Sequence, residues 1–134
     1  MTTHSRTSTD ADRFTLIELL VVMVIIGILA GIAVPVLLRQ RMSAVDSSMK
    51  SDLRNVAVVV ESYLLEHDSY PVGWAVIASD AKVDADTAFT LTVDPSDDAY
   101  CLVATRPAGA TPGSGAWSYD SDDGGLLADH AACS

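Results

Sequence analysis

Residues 14–38 read FTLIELLVVMVIIGILAGIAVPVLL, and residues 39–71 continue RQRMSAVDSSMKSDLRNVAVVVESYLLEHDSYP. From Leu19 to Leu38 there is no charge, amide or hydroxyl. That run of about 20 residues matches the length that crosses a bilayer as a helix. The second stretch lacks Gly and Pro until Pro71 and has a different pattern. Met42, Val45, Met49, Leu53, Val56, Val60 and Leu64 recur at helical steps, drawing one apolar stripe. Arg41, Asp46, Lys50, Asp52 and Arg54 fall mostly off that stripe. Tyr70-Pro71 suits a stop, because the residue before proline is pushed out of the α region. The spacing predicts one helix from Phe14 to about His67, roughly 80 Å long at 1.5 Å per residue. Its first half suits lipid, and its second half suits a protein core.

The flanks are different. Residues 1–13 (MTTHSRTSTDADR) are polar, cannot form a core and read as a leader or tail. Residues 72–134 are rich in turn formers, with three strand-like runs at Thr87–Val93, Tyr100–Thr105 and Ala116–Tyr119. In the first run Phe89, Leu91 and Val93 alternate with Thr90 and Thr92. A three-stranded meander is too small to stand alone. Laid across the stripe from Met42 to Leu64, it closes one core. The fold class expected is α+β: a long N-terminal helix, membrane-spanning in its first half, packed against a small antiparallel sheet. The expected domains are a leader at 1–13, an apolar helix at 14–38 and a globular part at 39–134.

Across all 134 residues, 49% are hydrophobic and 19% charged, against about 25% charged in an average globular domain. An ordinary soluble monomer does not concentrate its apolar excess in one run. The net charge of −10 is uneven. Residues 14–54 carry +1, whereas from 55 onward thirteen acids face only Lys82 and Arg106, a net of −11. Phosphate contacts rely on Lys and Arg, so direct nucleic-acid binding by the distal part is not expected. No G-x-S-x-G, H-E-x-x-H, P-loop or dinucleotide fingerprint occurs, and His4, His67 and His130 are scattered. Catalysis is not expected.

The segment from Phe14 to Pro35 resembles the N-terminus of type IV pilins and of the pseudopilins of type II secretion. The long helix, the Tyr-Pro stop, the small sheet and the late cysteine pair fit the same layout, pilin-like overall. The resemblance implies that a prepilin peptidase cuts between Arg13 and Phe14 and methylates the new amine on Phe14. Arg13 stands where the family pattern has a glycine or another small residue. The resemblance also implies a single-pass membrane protein that becomes part of an extracellular filament. Its partners would be other copies of itself, the peptidase, an inner-membrane assembly platform and lipid. The alternatives are a type II secretion pseudopilin, a competence-type minor pilin, and a secreted domain released by cleavage near Gly31-Ile-Ala33.

Glu18 sits at the edge of the apolar run. A central acid costs about +3 kcal/mol, against about −6 kcal/mol from the fourteen Leu, Ile and Val of 19–38, so insertion survives it. Tolerance does not explain its presence. The resemblance implies that Glu18 pairs with the Phe14 amine of a neighbouring subunit and sets register. The simpler reading is an acid stabilised by the helix dipole. Gly27 and Gly31 form a G-x-x-x-G step that permits close helix approach in lipid. Pro35 removes a backbone donor and frees a carbonyl near Gly31. The resemblance implies that this region loosens on assembly, and a plain kink is the other reading. Arg6 and Arg13 precede the span, while Arg39, Arg41, Lys50 and Arg54 follow it. The positive-inside count would hold the distal part in the cytoplasm, yet long domains translocate largely regardless of charge. Export is therefore expected.

Cys101 and Cys133 are the only cysteines. CxxC spacing is absent, and His130 alone completes no zinc site. In an exported domain they read as a staple worth about 3.5 to 4 kcal/mol by loop entropy, like the C-terminal disulfide loop of many type IV pilins. The run from Asp120 to Gly125 matches an EF-hand loop at Asp120, Asp122 and Gly125 only. No other cofactor is expected. Pseudopilins of type II secretion carry calcium in a C-terminal loop, which makes Asp120, Asp122 and Asp123 candidate Ca2+ ligands; a solvated acidic turn is the other reading.

Overall fold

The computed structural model describes residues 15–94, 96, 98–108, 110–127 and 133. Helix α1 runs from Leu16 to His67 without a break, with Pro35 inside it. Thr15 starts it: its Oγ1 accepts the Glu18 N–H at 3.3 Å, and its carbonyl accepts the Glu18 and Leu19 N–H groups. Thr15-x-x-Glu18 is thus the first half of a capping box. At the other end Asp68 adopts a left-handed conformation (φ 53) and donates its N–H to the Leu64 carbonyl at 2.9 Å. That arrangement is the αL C-cap, which aspartate tolerates better than branched residues. The helix therefore ends at His67, where the sequence pattern placed its end, with Tyr70-Pro71 just beyond.

The chain divides into two compact units, Met1–Leu37 and Leu38–Ser134. The described residues of the first are helical from Leu16 on, and every residue of 15–37 is exposed, including all its Leu, Ile and Val. The second holds the core. Met49, Leu53, Val56 and Val60, the middle of the stripe, are fully buried. Val45 and Leu64 are half-buried and Met42 is exposed, so the stripe outruns what the sheet covers. Fully burying one such side chain contributes about 1.5 to 3 kcal/mol.

A four-stranded antiparallel sheet completes the core, in the order β1 (Ala88–Asp94), β2 (Ala99–Thr105), β3 (Trp117–Asp120) and β4 (Gly125–Leu126). Three of these fall within a residue or two of the sequence expectation; β4 and a short helix α2 (Trp74–Ile77) were not expected. The register pairs Leu91 with Leu102 and Leu102 with Tyr119. Phe89, Leu91, Tyr100, Leu102, Ala104 and Trp117 join the α1 stripe and Ile77 in one cluster. Val93 shares the inward face of β1 but stays half-buried near the strand end.

β4 is made by the acidic turn. Gly124 (φ 84) and Gly125 (φ 109) take conformations that other residues rarely adopt, and they fold the chain back so that Asp120 pairs with Gly125. A Cβ on Gly125 would also meet the Tyr119 ring at 3.3 Å. Ser121 extends the sheet by donating its N–H to Tyr100 O at 3.0 Å, while its Oγ accepts the Tyr100 N–H at 2.8 Å. Cys101 on β2 and Cys133 form a disulfide. The staple expected from the sequence is therefore present.

Candidate assembly surface

The apolar surface comes first. From Leu16 to Leu38 α1 is long and apolar enough to cross a membrane, and none of its most apolar window is buried. Large apolar side chains such as Leu16, Met23 and Ile32 are more than three-fifths exposed. Contiguous apolar surface on this scale marks contact with lipid or protein. Glu18 lies in the first turn of this surface, exposed, with its backbone N–H engaged by Thr15. The dipole and the cap account for its place in a lone chain. Gly27 and Gly31 have nothing within 4 Å of where a Cβ would stand, so the groove beside them is open. Pro35 is accommodated inside α1. Arg13 and Phe14, the expected cleavage and methylation positions, lie outside the described residues.

The globular unit treats its charges differently from the sequence expectation. Asp46 and Asp52 do not simply face solvent. The Asp46 carboxylate accepts the Ser114 N–H at 2.8 Å and the Ser114 hydroxyl at 2.6 Å, fastening the 106–116 loop to α1. Asp52 is buried and accepts the Asp84 N–H at 3.1 Å. Lys50 places its Nζ 3.6 Å above the Trp117 ring. Arg106, with its side chain 9% exposed, pairs with Asp84 at 2.9 Å and approaches Asp86 at 3.9 Å. The Asp86 N–H, donated to Asp84 Oδ1 at 3.0 Å, together with the Arg106 guanidinium, holds the Asp84 carboxyl below the usual carboxylate range. Burial, reinforced by Glu61, pushes the Tyr100 hydroxyl far above the ordinary phenol value. Tyr70, whose hydroxyl donates to the Asp98 carbonyl at 3.1 Å, is raised for the same two reasons.

The three acids considered for calcium are split by the hairpin. Asp120 is buried and its Oδ1 accepts the Asp122 N–H at 3.0 Å, while Asp122 and Asp123 are exposed. Among the described residues no group of three or more His, Cys, Asp or Glu is placed to hold a metal ion.

Comparison with known proteins agrees with this layout. The prokaryotic N-terminal methylation motif matches residues 14–34. The chain is similar to the type IV wide pilus major component PilA4 of Thermus thermophilus, 34% identical over 115 residues, covering 81% of this chain and 87% of that one. It is similar to the type II secretion system core protein G of Pseudomonas aeruginosa, 40% identical over 58 residues, 43% of this chain and 41% of that one. It is also similar to the type IV major pilin protein PilA of Myxococcus xanthus, 40% identical over 57 residues, 42% of this chain and 26% of that one. No solved structure matches the chain significantly. With a methylation motif at its head, and likeness to a pilus component along most of its length, the chain belongs to the type IV pilin and pseudopilin family.

Proposed function

We propose that this chain is a structural subunit of a type IV pilus-like filament, held in the membrane by residues 14–38 until it is assembled. The observation that carries the reading is the wholly exposed apolar length of α1 from Leu16 to Leu38. Among the described residues nothing covers it, so in this reading lipid covers it before assembly and other copies afterwards. The pilus reading is favoured over the secretion pseudopilus because the likeness to a pilus component spans 81% of the chain, while the likeness to protein G spans under half. The role is structural and not enzymatic.

In this reading prepilin peptidase cuts between Arg13 and Phe14, and the new amine of Phe14 is methylated. Glu18 of one copy then faces the Phe14 amine of another. Gly27 and Gly31 admit close helix contact, and Pro35 supplies a point where α1 can yield. Insertion needs no partner for Glu18, but register in an apolar bundle does.

Three measurements test this. Mass spectrometry of mature protein should show a methylated Phe14 as the first residue; a start near Val34 contradicts the reading. Replacing Arg13 by Gly should speed maturation if the large residue slows the peptidase. Glu18→Ala should keep normal membrane abundance and correct processing but yield few sheared filaments. Wild-type filament amounts from that strain would leave Glu18 as a helix-end acid only.

A further inference from the structure

The exposed side of α1 between residues 39 and 67 is basic toward its start and acidic toward its end, where Glu61 and Glu66 lie. Arg39, Arg41 and Arg54 are exposed, and among the described residues they have no ionic partner. Of the four acids of the same stretch, Asp46 and Asp52 are drawn instead to Ser114 and the Asp84 N–H, Glu61 lies beside Tyr100, and Glu66 stands near the far end of the helix. Among the described residues the fold thus leaves these three arginines without a direct ion pair, on a chain whose residues from 55 onward carry −11.

A cleft of about 380 Å³ lies at the far end of α1, between that helix and the α2 region. Val59, Tyr63 and Ile77 form its apolar floor, and Glu66 and Asp80, both exposed, stand on its rim. The Tyr63 ring is held by stacking on His67, with centroids 4.0 Å apart. An apolar, aromatic floor with two carboxylates above it suits a guanidinium on an aliphatic stem. Arginine combines a planar fork for carboxylates with a face that stacks on aromatic rings.

We propose that this cleft receives Arg54 from a second copy of this chain, with its guanidinium between Glu66 and Asp80. The proposal rests on the filament reading and names one contact of that filament. A chain cannot fill its own cleft in this way: Arg54 precedes Glu66 by twelve residues, about 18 Å along the helix and about 120° around it. Donor and acceptor therefore sit on different sides of each copy. A contact that joins two different patches can repeat from copy to copy, as a filament requires. Arg54 suits this better than Arg39 or Arg41, because those two directly abut the apolar run that ends at Leu38, whereas Arg54 lies well beyond it in sequence.

The test uses the full chain in cells, reading sheared filaments against membrane abundance. Arg54→Glu and Asp80→Lys should each lower filament yield roughly two- to fivefold, the scale of one exposed ion pair, with membrane abundance unchanged. Combining Arg54→Glu with Asp80→Lys should restore yield, and wild-type filaments should release subunits more readily as salt is raised. A chain carrying Arg54→Cys and Asp80→Cys should form disulfide ladders between copies in filaments, since its own cysteines are already bridged. Filaments of wild-type yield from both single variants would overturn the proposal while leaving the filament reading intact. Loss in the single variants with no rescue in the pair would also overturn it, assigning Arg54 to a lipid phosphate or another protein. Absence of filaments from the wild-type chain itself would refute the filament reading.

Discussion

Gly113→Ala isolates how the 106–116 loop is held to the helix. A Cβ built at Gly113 stands 2.5 Å from Asp46 Oδ1, 3.2 Å from Val45 Cγ1 and 3.6 Å from Met49 Sδ. The first contact is too short to survive, so the Asp46 carboxylate must swing away. That same oxygen accepts the Ser114 N–H, and its partner oxygen accepts the Ser114 hydroxyl. Two hydrogen bonds to a charged group are worth about 1.5 to 3 kcal/mol each in full, but this site is exposed to water. Gly→Ala recovers about 0.5 kcal/mol from the unfolded chain where its conformation allows. The net cost expected is about 1 to 2 kcal/mol, or roughly 5–10 °C in Tm for a unit of this size.

The assay is thermal unfolding of the full chain in detergent, followed by Trp117 fluorescence, since Lys50 and the loop both lie near that ring. The decisive measurement is a double-mutant cycle. In an Asp46→Ala background the clash partner and the two bonds are gone, so adding Gly113→Ala should cost almost nothing further. Equal costs in the two backgrounds would refute the clamp, because the glycine would then be needed for reasons unrelated to Asp46.

Three further outcomes follow from burial and charge. Leu53→Ala, at a fully buried position, should destabilise the globular unit by about 2 to 5 kcal/mol, whereas Leu65→Ala, 84% exposed, should change unfolding little. Asp84 titrates below the ordinary carboxylate value, so its contribution is present at neutral pH and lost as pH falls below about 4. The Tm gap between wild type and Asp84→Asn should shrink on acidification; a gap constant from pH 7 to 3 contradicts the ion-pair account. Tyr100 is held neutral in the fold, so its contribution is present below about pH 10 and lost above it, as the unfolded chain ionises first. Tyr100→Phe should unfold less readily than wild type above pH 10, relative to their difference at pH 8, by alkaline titration followed in the far ultraviolet.

Long elements were readable in the sequence because their signals repeat. Seven apolar residues at helical spacing define α1 well enough that its ends shift by only a residue or two, and Phe89, Leu91 and Val93 define β1 by alternation. α2 and β4 have four and two residues, too few for any period to show. The Gly124-Gly125 pair was the available sign of β4, since adjacent glycines after Asp suit a tight reversal. The inward turn of Asp46 and Asp52 was not readable. Their partners are 68 and 32 residues away, and they are a hydroxyl and backbone N–H groups, which no charge pattern reveals. Of the assembly surface, Glu18, Gly27 and Gly31 stand out in sequence, whereas the cleft below Glu66 and Asp80 depends on how α2 returns to α1.

The two halves of α1 solve different problems, and this limits what can direct assembly. From Met49 to Val60 the helix gains stability by removing apolar side chains from water. From Leu16 to Leu38 it buries nothing within the chain, and moving it from lipid into a bundle exchanges one apolar environment for another. That exchange offers little hydrophobic gain and little selectivity, because any apolar helix would serve. Selectivity must then come from groups that distinguish one register or neighbour from another. In the apolar half the described candidates are Glu18 and the open step at Gly27 and Gly31. In the globular half they are Arg39, Arg41 and Arg54, which have no ionic partner among the described residues, and the exposed carboxylates of Glu66 and Asp80. Such contacts are individually weak, about 0.2 to 1 kcal/mol when exposed, but a filament repeats each of them at every subunit. A subunit at the end, making one set instead of two, would leave far more readily than one inside.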